Sequence, residues 1–148
     1  MPEAGRAIIQ AQLAIGGSAL PWADQNLFAE LMLCWDMRSY NEALLSPTPV
    51  LFDRGIPDAM GYLLLNNLPV PAHIEKSVHT FPYNQRVFIA PPWPEIFTQD
   101  NERKQTLAEA IATYHTIAAL YTKLGYELLH LPLAPVEERV LFVMQHIV

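Results

Sequence analysis

Apolar positions along this chain recur with two periods, and the switches between them mark out its elements. Over residues 2–14, Ile8, Ile9 and Leu13 with Ala4 or Ala11 fall at helical spacing; Pro2 and Glu3 suit a first turn and Gly16-Gly17 a stop. A second helix is predicted from near Pro21 to about Leu45, with Ser18 or Asp24 helping its start. Its inner stripe reads Leu27, Leu31, Cys34 or Trp35, and Arg38. Ser46-Pro47-Thr48-Pro49 ends it, and the short apolar run at 50–53 predicts a strand. Pro57 opens a short helix through Leu65, 68–72 is an extended linker, and another short helix covers 72–79. Residues 87–90 form a second predicted strand, closed by Pro91-Pro92-Trp93-Pro94, and 96–104 is polar and turn-rich. The strongest helical signal runs from Gln105 to about Leu124, with Leu107, Ile111, Tyr114, Ala118 and Tyr121 on one face and Gly125 as its stop. A third strand at 126–131 and a helix over 136–146 complete the chain.

Strands alternating with helices imply an α/β fold: a mostly parallel sheet covered on both faces, three layers in all. The length of 148 residues is that of one ordinary domain, so 1–148 is read as a single unit. Three strands are few for such a sheet, and one edge or the middle is expected to be missing.

Composition narrows the functional classes. With 51% apolar and 16% charged residues, the chain is neither disordered nor coiled coil. A net charge of −6 disfavours sequence-independent nucleic-acid binding, which needs clustered Lys and Arg. A small phosphorylated ligand needs only two or three local cations and stays open. Cys34 is the only cysteine, so no internal disulfide forms, which fits a reducing compartment. There is no signal-peptide pattern, and no apolar run approaches the roughly 18 residues that span a bilayer. The expected location is cytoplasmic. The five His, at 73, 79, 115, 130 and 146, show no metal-site spacing.

The candidate chemistry lies at 50–58, Val-Leu-Phe-Asp-Arg-Gly-Ile-Pro-Asp. An Asp-Arg pair stands at the carboxyl end of a predicted buried strand, where open α/β sheets bind ligands. Phosphate-handling enzymes present a carboxylate to Mg²⁺ or its waters from such a position. The Gly-rich loop ending in Gly-Lys-Ser/Thr that usually partners it occurs nowhere in these 148 residues.

Five segments taken in order carry a family resemblance: Pro2-Glu3-Ala4-Gly5-Arg6; Phe52-Asp53-Arg54-Gly55-Ile56-Pro57-Asp58; Pro91-Pro92-Trp93-Pro94-Glu95-Ile96; Gln99-Asp100-Asn101-Glu102-Arg103; and Leu131 through Val140. Together they resemble the small predicted bacterial ATPases of the AAA-domain type, themselves similar to P-loop nucleoside kinases and the nicotinamide riboside kinase domain. The resemblance implies a P-loop NTPase or kinase fold lacking its first strand and phosphate loop, a segment of about 30 residues. In that fold the missing strand lies between those at 50–53 and 87–90, and its loss leaves unpaired backbone groups costing roughly 1–3 kcal/mol each. A shortened chain, a start codon placed too late, a re-paired sheet or a covering oligomer would each account for this.

By the same resemblance Asp53 binds Mg²⁺ through water or activates an acceptor hydroxyl. Arg54 and Arg6 face the substrate cleft, with Glu3 and Asp58 beside them; the alternative is that each Arg pairs with one of those acids. Arg103 and Lys104 occupy the position of a mobile lid whose cation stabilises transferring phosphate oxygens, and Pro135 and Val136 pack against the nucleotide base. Trp93 reads as a packing residue. ATP and Mg²⁺ are the implied cofactors, although neither is expected to bind tightly to this chain without the phosphate loop. ATPase and phosphotransferase chemistry remain equally open. The competing expectation is a non-catalytic, oligomeric α/β interaction protein that has lost nucleotide binding.

Overall fold

The computed structural model describes residues 1–97 and 106–147. In chain order these form α1 (Ala4–Ile15), α2 (Gln25–Ala43), α3 (Ile56–Leu65), α4 (Ala72–Thr80), β1 (Arg86–Ile89), a 3₁₀ turn (Pro94–Ile96), α5 (Leu107–Lys123), β2 (Glu127–His130) and α6 (Val136–His146). They fall into two compact units, Met1–Tyr83 and Asn84–Val148.

The first unit is helical. α1 stops at Gly16, whose φ of 66° lets its N–H and the next return to the last carbonyls of the helix. Asp24, not the stretch near Pro21, starts α2: its carboxylate accepts the Leu27 N–H at 2.9 Å. α2 packs on α1 and on α3, and α3 packs on α4. Ala4, Ile8 and Phe28 form one core cluster, against which Ile9, Leu31, Met32, Trp35 and Tyr62 pack. Ile56, Leu63, Ile74 and Pro57 are the largest fully buried side chains.

Two expected faces are corrected. Leu13 is exposed on α1. On α2 the buried residues are Phe28, Ala29, Leu33, Asp36 and Ser39, whereas Leu27, Cys34 and Arg38 face solvent. The helix is apolar around most of its circumference, so periodicity alone did not select the side that α1 and α3 cover.

The strand expected at 50–53 is corrected as well. That segment carries no strand among the described residues. Its backbone instead meets Met1: the Met1 amine donates to the Leu51 carbonyl, and the Asp53 N–H donates to the Met1 carbonyl at 2.9 Å. This is the hydrogen-bond pattern of a single parallel rung, and one rung is short of a ladder.

The second unit contains the sheet. β1 and β2 pair in parallel with Arg86 opposite Glu127 and Ile89 opposite His130. Between them, α5 begins at Thr106, whose hydroxyl accepts the Glu109 N–H at 3.2 Å while the Glu109 carboxylate accepts the Thr106 N–H at 2.7 Å. It ends before Gly125, at φ 90°. α5 packs on β2, and Phe88 of β1 meets Phe142 of α6 edge to face. The described residues thus form an α/β fold with a small two-stranded parallel sheet in place of the three strands expected.

Candidate functional site

Four contacts from three residues hold the turn at 53–56. Asp53 and Arg54 are exposed, and the next three residues, Gly55, Ile56 and Pro57, are buried. Arg54 adopts φ 71°, a left-handed conformation that costs a side-chain-bearing residue of order 1–3 kcal/mol and persists only where neighbours enforce it. Asp58, one helical turn on, does so twice: it pairs with the Arg54 guanidinium at 3.3 Å, and its other oxygen accepts the Gly55 N–H at 3.0 Å. The Ile56 N–H, one of the unpaired donors of the α3 amino end, goes to the Tyr83 hydroxyl at 3.2 Å. The Met1 carbonyl takes the Asp53 N–H, completing the set.

Tyr83 is also a wall. A Cβ on Gly55 would stand 3.0 Å from its Cζ and Oη. The ring cannot yield easily, because Tyr40 and Phe52 sit edge to face on it at centroid distances of 5.3 and 5.1 Å. Gly55→Ala is therefore expected to cost about 1–3 kcal/mol through overpacking, read as a lower urea midpoint at unchanged slope. An unchanged midpoint would mean that Tyr83 is loosely held.

The electrostatics single out a residue that pattern reading passed over. Asp36 lies on the buried face of α2 with 6% of its surface exposed. No hydrogen bond or ion pair from a described residue reaches its carboxylate. Burial, then the charges of Asp58 and Glu3, push its pKa from 3.8 up to about 7. A signal existed in the sequence, a lone acid inside the apolar run Leu31 to Met37, but the predicted stripe placed it off the core.

Arg54 responds to the same charges. Desolvation works against its cation, but Asp58, then Glu3, then Asp53 outweigh this and raise its pKa further. Its side chain remains 47% exposed, so the pairing holds orientation more than it adds stability. The alternative weighed for Arg54, pairing with Asp58, is the one the geometry displays. Arg54 thus stands among the charges of Asp58, Glu3 and Asp53.

The remaining candidates are distributed as follows. Glu3 stands at the start of α1, its Oε1 folded to within 3.0 Å of where a Gly5 Cβ would be. Arg6 is exposed in the first turn of α1 and is itself partnered. Pro135 and Val136 open α6 in the second unit, both exposed. Arg103 and Lys104 lie outside the described residues. Trp93 is half-buried, in keeping with packing.

Among the described residues no three His, Cys, Asp or Glu side chains converge to hold a metal ion. That fits Mg²⁺ poorly as a fully protein-ligated ion. It fits the water-mediated role better, since Mg²⁺ in phosphoryl-transfer sites keeps several waters and takes one or two carboxylates, and the exposed Asp53 would supply one. No described helix is long and apolar enough to cross a membrane.

A protein-family model described as "AAA domain" matches residues 1–139. No curated protein and no solved structure gives a match.

Proposed function

We propose a nucleotide-linked function from one established premise: the chain belongs to the AAA-domain family, whose model spans residues 1–139. The family points to a nucleotide-binding, P-loop NTPase-like protein using ATP and Mg²⁺. The finer reading is that the turn at 53–58 is the cation-and-acceptor end of that site. The observation that carries it is the exposed Asp53 on a turn clamped by Asp58, Tyr83 and Met1. Such a carboxylate orients a Mg²⁺ water or accepts the proton of an attacking hydroxyl. When bound, Mg²⁺ neutralises charge on the phosphate oxygens. Glu3, Asp53 and Asp58 outnumber the Arg54 cation, so this end of the site favours a cation over a bare phosphate.

Residues 1–148 contain no Gly-x-x-x-x-Gly-Lys-Ser/Thr, so the phosphate grip that backbone N–H groups of such a loop provide is not supplied by them. The 148-residue chain is accordingly proposed to be catalytically inert alone, and its small phosphorylated or nucleotide ligand to need that grip. Kinase-type transfer and simple hydrolysis are equally compatible with Asp53. Calorimetric titration with Mg·ATP tests both parts. The 148-residue chain is expected to give no saturable heat, while protein isolated at full length from its own source is expected to bind. Turnover by the 148-residue chain that Asp53→Ala abolishes would overturn the inertness. Absence of binding by the full-length protein would overturn the nucleotide reading itself.

One observation favours the second reading, an oligomeric interaction protein. Val136, Val140, Leu141 and Met144 are all exposed along α6, an apolar stripe at helical spacing. Sedimentation at rising concentration separates the two: a strictly monomeric species removes the interaction reading.

A further inference from the structure

Asp36 is used by nothing in the proposed chemistry, yet it is the most deeply buried acid described in the first unit. It stands on α2 where that helix packs against α1 and α3. Glu3, at the start of α1, and Asp58, in the first turn of α3, face it with like charge. The Arg54 cation beside these acids is committed already, since it pairs with Asp58 and also answers Glu3 and Asp53. Arg6, in the same first turn of α1 as Gly5, is partnered too. No hydrogen bond or ion pair from a described residue reaches the Asp36 carboxylate, and only 6% of the residue's surface is exposed. A carboxyl so placed keeps its proton, or its surroundings move when the proton leaves.

We propose that the packing of α2 against α3 is a proton-operated latch, closed while Asp36 is protonated and loosened at the amino end of α3 when Asp36 ionises. The reason for that location is the division of labour at Asp58. The same carboxylate that repels an ionised Asp36 also holds the Gly55 N–H and the Arg54 guanidinium. Relief of the repulsion is easiest by drawing Asp58 away, because Asp58 sits at a helix end beside an exposed turn, whereas Asp36 lies mid-helix between two packed neighbours. Moving Asp58 releases the Gly55 N–H and the Arg54 guanidinium. Arg54, in its left-handed backbone conformation, then loses the contact that holds it there. The latch therefore couples one buried proton to the order of the turn bearing Asp53 and Arg54. It rests on the packing and charges of the first unit alone and stands whether or not nucleotide binding is found.

The test is a ¹³C carboxyl titration of the wild-type chain by NMR, with amide exchange of Gly55 and Ile56 followed over the same pH range. One carboxyl is expected to titrate near neutrality and to be missing from Asp36→Asn. Exchange at Gly55, corrected for its intrinsic pH dependence, should rise several-fold across that transition in the wild type and stay level in the variant. Asp58→Asn should move the transition to lower pH, since it removes the stronger of the two like charges acting on Asp36. If every carboxyl titrates in the ordinary range, the latch is refuted, and the wild-type experiment alone decides this should the variants fold poorly. It is refuted equally if Asp36 titrates near neutrality while Gly55 and Ile56 exchange as they do in Asp36→Asn.

Discussion

Asp36→Asn is expected to stabilise the folded chain at pH 8 and to change little at pH 4. The native carboxyl has its pKa raised from 3.8 to about 7 by burial and by Asp58 and Glu3. Between those values the folded chain holds a proton that the unfolded chain has released. Stability therefore falls as pH rises from about 4 to 7, and levels off above. The interval corresponds to about 4 kcal/mol at most, at 1.36 kcal/mol for each pKa unit. Asn keeps the shape and removes the charge, so the gap between variant and wild type should open with pH. Urea denaturation of both proteins at pH 5, 6, 7 and 8 reads this directly, and groups common to both cancel in the difference. Glu109 works in the opposite sense: its capping contact with Thr106 lowers its pKa, so what it contributes is present above the ordinary value of 4.5 and is lost as pH falls from there, and it cancels in the difference. Parallel pH profiles for the two proteins would mean that Asp36 is better solvated or better partnered than its burial implies.

Ile56→Ala is expected to be the more damaging change at neutral pH, costing about 2–5 kcal/mol. Ile56 is 0% exposed at the first position of α3, between the Gly55 turn and the α3 helix. Deleting its outer carbons leaves a cavity beside Pro57, which is as deeply buried, and neither the helix start nor the proline can move in to fill it. The matched control is Leu45→Ala. Leu45 is 87% exposed beyond the end of α2, and its truncation should change stability by no more than about 0.5 kcal/mol. Equal losses for the two would mean that the amino end of α3 is not the anchor of the Asp53 turn. Tyr83→Phe completes the comparison: losing the acceptor for the Ile56 N–H should cost about 1 kcal/mol, well short of the cavity.

These expected effects meet at the amino end of α3. The chain belongs to the AAA-domain family, and the turn brings Asp53, Arg54 and Asp58 together. A clamped turn with a left-handed Arg is an expensive arrangement. Four separate hydrogen-bond or ionic contacts maintain it, from α3, from Tyr83 and from Met1.

What the sequence determined alone was local. The helices begin and end close to where Asp24, Pro57, Gly16 and Gly125 put them, because capping and left-handed stops depend on a few neighbouring residues. β1 and β2 were legible as short apolar runs bounded by Pro and Gly. The shared face of α5 was legible in part: Tyr121 is buried there, with Leu107, Ile111, Tyr114 and Ala118 half-buried, but Leu120, off that face, is buried as well. Asp53 was legible as an acid at the end of an apolar run. The tertiary structure decided the rest. Which side of α2 is covered depended on where α1 and α3 pack, and that choice buried Asp36 and turned Cys34 and Arg38 to solvent. Whether 50–53 became a strand depended on a partner ladder, and a single rung from Met1 did not make one. Asp58 came to hold Arg54 through a local i,i+4 pairing, but its repulsion of Asp36 joins residues that only packing brings near. Short-range chemistry is written in neighbouring letters; burial and charge coupling are properties of what folds against what.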